Sequence, residues 1–229
     1  MSQPDKVIPL KGLRGMIANN MMSSLQQSAQ LSFMTDVMID PLLNFRKIFK
    51  DRGIAIGVED VLLKCVSQSL AHYPIFNGTI EQGEIRLKND HAISIATPIA
   101  GGLAAPKIDN INLLSLEEIS SQRRDLISRA HNNQLKPSEM SGGTFTISNL
   151  GQTRVTYFTP IINSPQIAIL GIGRIKSQVK LDKNGVCIEY NTMGLSLTCD
   201  HRAIDGQPAG DFLTHLAETI EQLTEGSFT

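Results

Sequence analysis

Groups able to move protons concentrate in one stretch, Cys199-Asp200-His201-Arg202-Ala203-Ile204-Asp205-Gly206. Charges are expensive to bury and need partners, so this cluster is a poor choice for plain packing. Imidazole is the side chain that changes charge near neutral pH, which makes His201 a candidate general base. The competing reading is a corner histidine that only makes hydrogen bonds. Asp200, His201 and Asp205 could also ligate a metal, but no second histidine lies four residues away and no Cys/His set has ligand spacing, which argues against metal. Ser148, in Phe145-Thr146-Ile147-Ser148-Asn149-Leu150-Gly151, is a hydroxyl at a predicted strand end, without the G-x-S-x-G elbow of a nucleophile. Cys199 precedes His201 by two residues, and strand alternation turns it toward the core. His72, His131 and His215 fall within or at the ends of amphipathic helices, and His91 stands near a strand start with no motif around it.

His201 follows a predicted strand, 195–199, and precedes a predicted helix over 206–223, so it sits at the kind of corner where scaffolds present reactive groups. Upstream, apolar residues at Leu13, Ile17, Met21 and Leu25 predict a helix over about 11–31, and alternation predicts a strand over 31–39. Asp40-Pro41 opens a helix to about residue 50, and a stripe through Val61, Leu62, Cys65, Val66 and Leu70 predicts one over 58–72, stopped at Tyr73-Pro74. Short strands at 78–80 and 85–87 flank a Gln82-Gly83 turn. A strand over 91–97 ends at Pro98, and the Gly/Ala/Pro-rich residues 98–106 read as a loop leading into a short strand. Ser115 with Glu118 forms a capping box for a helix to about 132. Strands are expected over 144–148 and 166–172, and 179–181 and 186–190 flank the turn Asp182-Lys183-Asn184-Gly185. Gly101-Gly102 and Gly142-Gly143 are expected to supply positive φ at turns. Gly171-Ile172-Gly173 lacks the third glycine and following helix of a nucleotide loop.

Helices interspersed with hairpins argue for an α+β or mixed α/β fold in one domain over 9–229, with residues 1–8 as a disordered or linker tail. The 229 residues suffice for a real core, and a formal net charge of −1 disfavours nucleic acid as a partner. Cys65, Cys187 and Cys199 are odd in number and form no CxxC pair, so buried, reduced thiols are expected. The amino terminus has no apolar signal region, and no apolar run reaches the ~18 residues of a membrane span. The expected compartment is therefore the cytoplasm, or the mitochondrial matrix in a eukaryote, with no membrane partner.

Asp200-His201-Arg202-Ala203-Ile204-Asp205-Gly206 resembles the D-H-R-x-x-D-G motif of the dihydrolipoyl acyltransferase cores of 2-oxo acid dehydrogenase complexes, whose fold is shared with chloramphenicol acetyltransferase. The stretches from Val7 to Ala18, Pro74-Ile75-Phe76-Asn77, Thr97-Pro98, Gly102-Leu103, Gly143 to Gly151 and Phe158 to Asn163 are similar to further family blocks in the same order, so the resemblance spans essentially the whole chain. It implies a chloramphenicol acetyltransferase-like mixed sheet with packed helices and a homotrimer, extending in some members to a higher cage. It implies transfer of an acyl group between coenzyme A and the thiol of a dihydrolipoyl group carried on a lipoyl domain, without a metal, alongside other components of a 2-oxo acid dehydrogenase complex. His201 would be the general base and Ser148, from the next chain, the oxyanion donor. Asp205 would be structural and paired with Arg14, while Asn149, Gly151 and Arg154 are substrate-channel candidates.

Three residues, Ile99-Ala100-Gly101, separate the Thr-Pro and Gly-Leu pairs where the family usually has one. Lys107 replaces a hydrophobe, and Arg154 stands where a second glycine is common. Either cation would suit an acyl group bearing negative charge, unless both are solvated edge residues. No lipoyl or subunit-binding domain is recognised, which is expected of an excised core or of a free-standing homologue. Two further readings remain open: a free-standing acyltransferase with another small acceptor, and a non-catalytic scaffold.

Overall fold

The computed structural model describes residues 5–228. Residues 1–4 of the expected tail lie outside the described residues; Asp5–Ile8 is irregular and exposed. Helix α1 (Gly12–Gln27) leads to strand β1 (Gln30–Met38), then α2 (Asp40–Asp51) and α3 (Val58–His72). Strands β2 (Gly78–Glu81) and β3 (Glu84–Leu87) form a separate hairpin. There follow β4 (Ile93–Ile99), β5 (Gly102–Ala104), β6 (Lys107–Ile108), α4 (Leu116–His131), β7 (Phe145–Asn149), β8 (Ala168–Leu181), β9 (Cys187–Asp200) and α5 (Gly206–Glu221). The main sheet runs β1-β9-β8-β7-β4-β5, with β6 also on β4; the β4–β7 and β7–β8 pairs are parallel and the others antiparallel.

Period-two alternation divides the sheet into two chemically different faces. Ile93 and Ile95, Phe145 and Ile147, Leu170 and Ile172, and Leu195, Leu197 and Cys199 join the hydrophobic core. That core also takes in the buried stripe of α3, with Phe45 from α2, Ile119 from α4 and Phe212 and Leu216 from α5. The intervening residues, Ser94, Thr146, Ser148, Gly171, Gly173, Gly194, Ser196, Thr198 and Asp200, lie on the opposite face with Ala96 and Ile169, so that this face is mostly small and polar. Buried hydroxyls there find partners: Ser32 Oγ bonds Thr198 Oγ1 at 2.7 Å, and Thr146 Oγ1 donates to Gln166 Oε1 at 2.5 Å.

A parallel pair needs a long crossover, usually a helix. Between β7 and β8 the crossover, residues 150–167, contains no helix and lies across the polar face. Its backbone is satisfied piecemeal: Arg174 N donates to Val155 O at 2.8 Å, Phe158 N to Ser196 Oγ at 3.3 Å and Ile162 N to Gln30 Oε1 at 3.1 Å. Ser24 Oγ of α1 donates to Ile162 O at 2.6 Å. Glycine makes the approach possible. A methyl group on Gly173 or Gly194 would overlap the Thr156 carbonyl oxygen, and one on Gly171 would lie 2.7 Å from the Phe158 ring.

Several sequence expectations need correction. Pro98 lies inside β4, opposite Leu103 of β5, so residues 98–106 are largely a hairpin turning at Ala100-Gly101. Gly101 and Gly142 have positive φ, whereas Gly102 and Gly143 do not: what they supply is room, Gly102 for Ile17 of α1 and Gly143 for Ser94 and Gln166. The four strand segments expected within 166–199 are two continuous strands of 14 residues each. Their inner halves are buried, and their outer halves project as a ribbon on which Val179, Leu181, Val186 and Ile188 are exposed. Helix α1 keeps the expected spacing, yet Leu13 and Leu25 remain exposed and Ser24 is its one buried residue among those described. Cys65 and Cys199 are buried, but Cys187, at the start of β9, is exposed. No helix among the described residues is long and apolar enough to cross a membrane.

The glycine contacts can be tested directly. Gly173→Ala should lower the unfolding free energy by about 1–3 kcal/mol, because the added methyl pushes the crossover off the sheet. Gly210→Ala, inside α5 with open space around it, should instead stabilise by about 0.5–1 kcal/mol. Urea denaturation of both variants reads the difference, and equal effects would refute it.

Candidate active site

Asp200 ends β9 on the polar face and is 1% exposed. Its carboxylate accepts from Arg202 Nη2 at 2.6 Å, from Arg202 Nε at 3.0 Å, and from the backbone N–H groups of Arg202 and Ala29 at 3.0 and 3.2 Å. Burial alone would raise its pKa; the Arg202 guanidinium and the two backbone donors outweigh that and hold the carboxyl below the ordinary aspartate range. Beside it, His201 N donates to Ala29 O at 2.8 Å, which ties the corner to the turn between α1 and β1.

The His201 side chain, 47% exposed, is thereby presented just past the end of β9 with Nδ1 3.5 Å from Asp205 Oδ1. Asp205 is the N-cap residue of α5, makes no side-chain capping bond and is 84% exposed. The expected Arg14–Asp205 pair does not form in the single chain: among the described residues Arg14 has no ion pair. The acid that burial obliges to find a guanidinium is Asp200, and it takes one from two residues away.

Ser148 lies on the polar face of β7, and its hydroxyl has no hydrogen-bond partner among the described residues. It opens onto a cavity of about 200 Å³ walled by Met21, Ala96, Leu103, Phe158, Ile161 and Ile169. The following turn is held by Asn149, whose Oδ1 accepts from Gly151 N at 2.8 Å and whose Nδ2 donates to Glu59 Oε1 at 3.3 Å. Asn149 and Gly151 thus fix the strand end and do not line this cavity. Arg154 is exposed on the same loop and is also absent from the wall. A second, polar cavity of about 430 Å³ lies beside the Asp200–Arg202 pair, between the end of α1 and the β2–β3 turn.

One chain does not bring His201 and Ser148 together. Ser148 pairs with Gly171, and Gly171 with Ser196; His201 is five residues further along β9. At ~3.3 Å per residue and ~4.8 Å per strand, the two positions are roughly 15–20 Å apart.

The other histidines have structural surroundings. His91 is buried, with Nδ1 2.8 Å from Ser67 Oγ, and burial pushes its pKa down. His72 and His215 stack with ring centroids 4.6 Å apart, and His131 closes α4. The Cys199 thiol is pushed up to about 12 by burial and by the neighbouring Asp200 charge, which removes it as a thiolate nucleophile at neutral pH. No group of three His, Cys, Asp or Glu residues suited to a metal occurs among the described residues. Sequence reading missed Phe158, Ile161 and Gln166, which shape the site from the crossover; the available signal was the glycines Gly171, Gly173 and Gly194 inside otherwise apolar strands, a mark of close backbone approach.

The family model described as "2-oxoacid dehydrogenases acyltransferase (catalytic domain)" matches residues 2–226. The chain is similar to the dihydrolipoyllysine-residue acetyltransferase component of the pyruvate dehydrogenase complex of Bacillus subtilis, at 33% identity over 95% of this chain and 50% of that protein. It is 32% identical to the mitochondrial lipoamide acyltransferase component of the branched-chain alpha-keto acid dehydrogenase complex of Arabidopsis thaliana, over 95% of this chain and 46% of that one. It is also 32% identical to the succinyltransferase component of the 2-oxoglutarate dehydrogenase complex of Haemophilus influenzae, over 97% and 56%. The chain thus spans about half the length of the curated relatives it matches. Among solved structures it resembles the Azotobacter vinelandii dihydrolipoamide acetyltransferase, in which a serine, a histidine and an asparagine were investigated for catalytic roles, with TM-score 0.89 and 28% identity over 96% of this chain and 92% of that one. The cubic core of a pyruvate dehydrogenase multienzyme complex gives the same TM-score, identity and coverage. Chloramphenicol acetyltransferase, at 18% identity and TM-score 0.56 over 90% of this chain and 94% of that one, shares the fold.

The Asp200 corner carries a pH signature. A carboxyl with a depressed folded-state pKa stabilises above its unfolded value, near ~3.9, and that contribution is lost as pH falls through the folded value. The wild-type urea midpoint should therefore drop more between about pH 5 and about pH 3 than that of Asp200→Asn, which begins lower and has no carboxylate to protonate. Parallel declines in the two proteins would show that Asp200 carries no such linkage.

Proposed function

The chain belongs to the 2-oxoacid dehydrogenase acyltransferase catalytic-domain family, and on that premise we propose that it moves an acyl group between the thiol of coenzyme A and the thiol of a dihydrolipoyl group. The observation that carries this reading is the pairing of an unpartnered Ser148 hydroxyl at a cavity with an exposed His201 imidazole on the family motif. His201 takes the proton from the attacking thiol, a task suited to a neutral imidazole. The thiolate adds to the thioester carbonyl carbon, and the carbonyl oxygen becomes an oxyanion that accepts a hydrogen bond from Ser148. Collapse re-forms the carbonyl and expels the second thiolate, which receives the proton back from His201. Asp205, with Oδ1 3.5 Å from Nδ1, is assigned to orient the imidazole. The histidine and asparagine of the Azotobacter enzyme have the same four-residue spacing.

Because the two groups are roughly 15–20 Å apart in one chain, the reacting site is completed by a second copy, with His201 of one chain facing Ser148 of the next in a homotrimer. Such a head-to-tail contact closes into a ring. Larger cages, a lipoyl domain as acyl carrier and the companion enzymes of a 2-oxo acid dehydrogenase complex follow as the natural partners. The compartment is the bacterial cytoplasm or, in a eukaryote, the mitochondrial matrix.

Acetyl transfer from acetyl-CoA to dihydrolipoamide tests the chemistry. His201→Ala should abolish turnover, and Ser148→Ala should lower kcat by about 10²–10³-fold, the usual cost of one oxyanion donor. The shared site makes a further demand. When the two inactive variants are unfolded, mixed equally and refolded together, random ring assembly restores intact His–Ser pairs at about a quarter of the interfaces, and activity should return to that extent. If the mixture stays inactive although each variant assembles, each chain has its own site.

A further inference from the structure

Relatives named for acetyl, branched-chain and succinyl chemistry are all 32–33% identical to this chain, so similarity does not select an acyl group. The cavity beside Ser148 does. We propose that it receives an uncharged aliphatic acyl chain and rejects a dicarboxylic one; this rests on Ser148 being the oxyanion donor. With the carbonyl oxygen at the Ser148 hydroxyl, the rest of the acyl group extends into the space that Ser148 adjoins.

On this chain's side, that space is lined without a single charged side chain. Thr146 is its second hydroxyl, and it is engaged with Gln166. The cations that could have met a terminal carboxylate are committed elsewhere. Lys107, with its side chain 12% exposed, pairs with Asp109 in a different depression, together with Asp125, Arg129 and Glu139. Arg129 in turn is held by both Asp125 and Glu139. Arg154 is on the exposed loop, off the wall. The expectation that Lys107 or Arg154 selects a negatively charged acyl group therefore has no geometric support. A succinyl carboxylate here would give up its hydration without a counter-charge from the chain that forms the cavity.

Size points the same way. The cavity of about 200 Å³ is larger than the methyl of an acetyl group needs and leaves room for a short branched chain. The room comes from a small residue in a critical place: Ala96 of β4 pairs directly across from Ser148 of β7. Leu103, on the hairpin that Ile99-Ala100-Gly101 lengthens, forms the outer wall.

The experiment compares kcat/KM of the wild-type assembly for acetyl-, isobutyryl- and succinyl-CoA with dihydrolipoamide. Isobutyryl-CoA should at least equal acetyl-CoA, and succinyl-CoA should fall about 100-fold or more below the better of the two. Ala96→Leu should reduce isobutyryl transfer by about 10-fold or more relative to acetyl transfer. Leu103→Ala, at an exposed wall position, keeps the second comparison available if Ala96→Leu does not fold, and should favour isobutyryl over acetyl. Succinyl-CoA used within about 10-fold of the uncharged substrates would overturn the proposal. So would folded variants that slow acetyl and isobutyryl equally. No turnover with any of the three would instead remove the acyltransferase reading, and the inference with it.

Discussion

The site depends on how closely a helix-free crossover approaches the sheet. Residues 150–167 run against β8 and β9 because Gly171, Gly173 and Gly194 present bare backbone beneath them. A side chain at any of the three would lift Thr156 or Phe158, and with them the wall of the cavity and the anchor to α1 through Ile162. Each glycine forfeits packing and backbone entropy relative to alanine. The return is a wall of side chains held over Ser148 by hydrogen bonds from strands and from α1, with no flexible lid involved. Part of the cavity wall is thus a segment with no regular secondary structure, positioned by residues that have no side chains.

The histidine end is built by a different device. Asp200 is buried, satisfied four times over and locked to its own neighbour Arg202, which ties down the strand-to-helix corner. His201 inherits that rigidity through its backbone while its ring remains at the rim, where a second molecule can reach it. A charge that is costly to bury thus sits one residue away from an exposed imidazole, so the group that fixes the corner is not the group the corner presents.

Much of this was legible in the sequence. The helices at 58–72 and 116–131 declared themselves through their stripes and, for the second, through the Ser115–Glu118 capping box, which forms as read. Turn chemistry located the Asp182–Gly185 hairpin, where Asp182 Oδ1 accepts from the backbone of both Asn184 and Val186. What failed were boundaries and distances in space. β8 and β9 each change from doubly buried to singly exposed midway, so one strand carries two periodicities and reads as two pieces. Pro98 reads as a strand end, yet a two-residue turn folds β5 back upon it. The pairing of Asp200 with Arg202 in place of Asp205 with Arg14 depended on which carboxylate burial would isolate, and that is a property of the tertiary structure. Ser148 and His201 could be named from their motifs, the resemblance implied that they come from different chains, and the strand register holds them apart within one chain.

The β1–β9 pairing has a consequence for how the chain comes into being. β1 is an edge strand whose single strand partner is β9, across nine residue pairs. About 150 residues separate the end of β1 from the start of β9, so at ~5–20 residues per second the ribosome takes roughly 7–30 s to supply the partner. During that interval the hydrogen-bonding edge of β1 that β9 will cover has no strand of its own chain to pair with. Contacts of such long range slow folding and expose strand edges. Completion of the sheet is therefore one of the last events of biogenesis, and the same event sets the corner that carries His201.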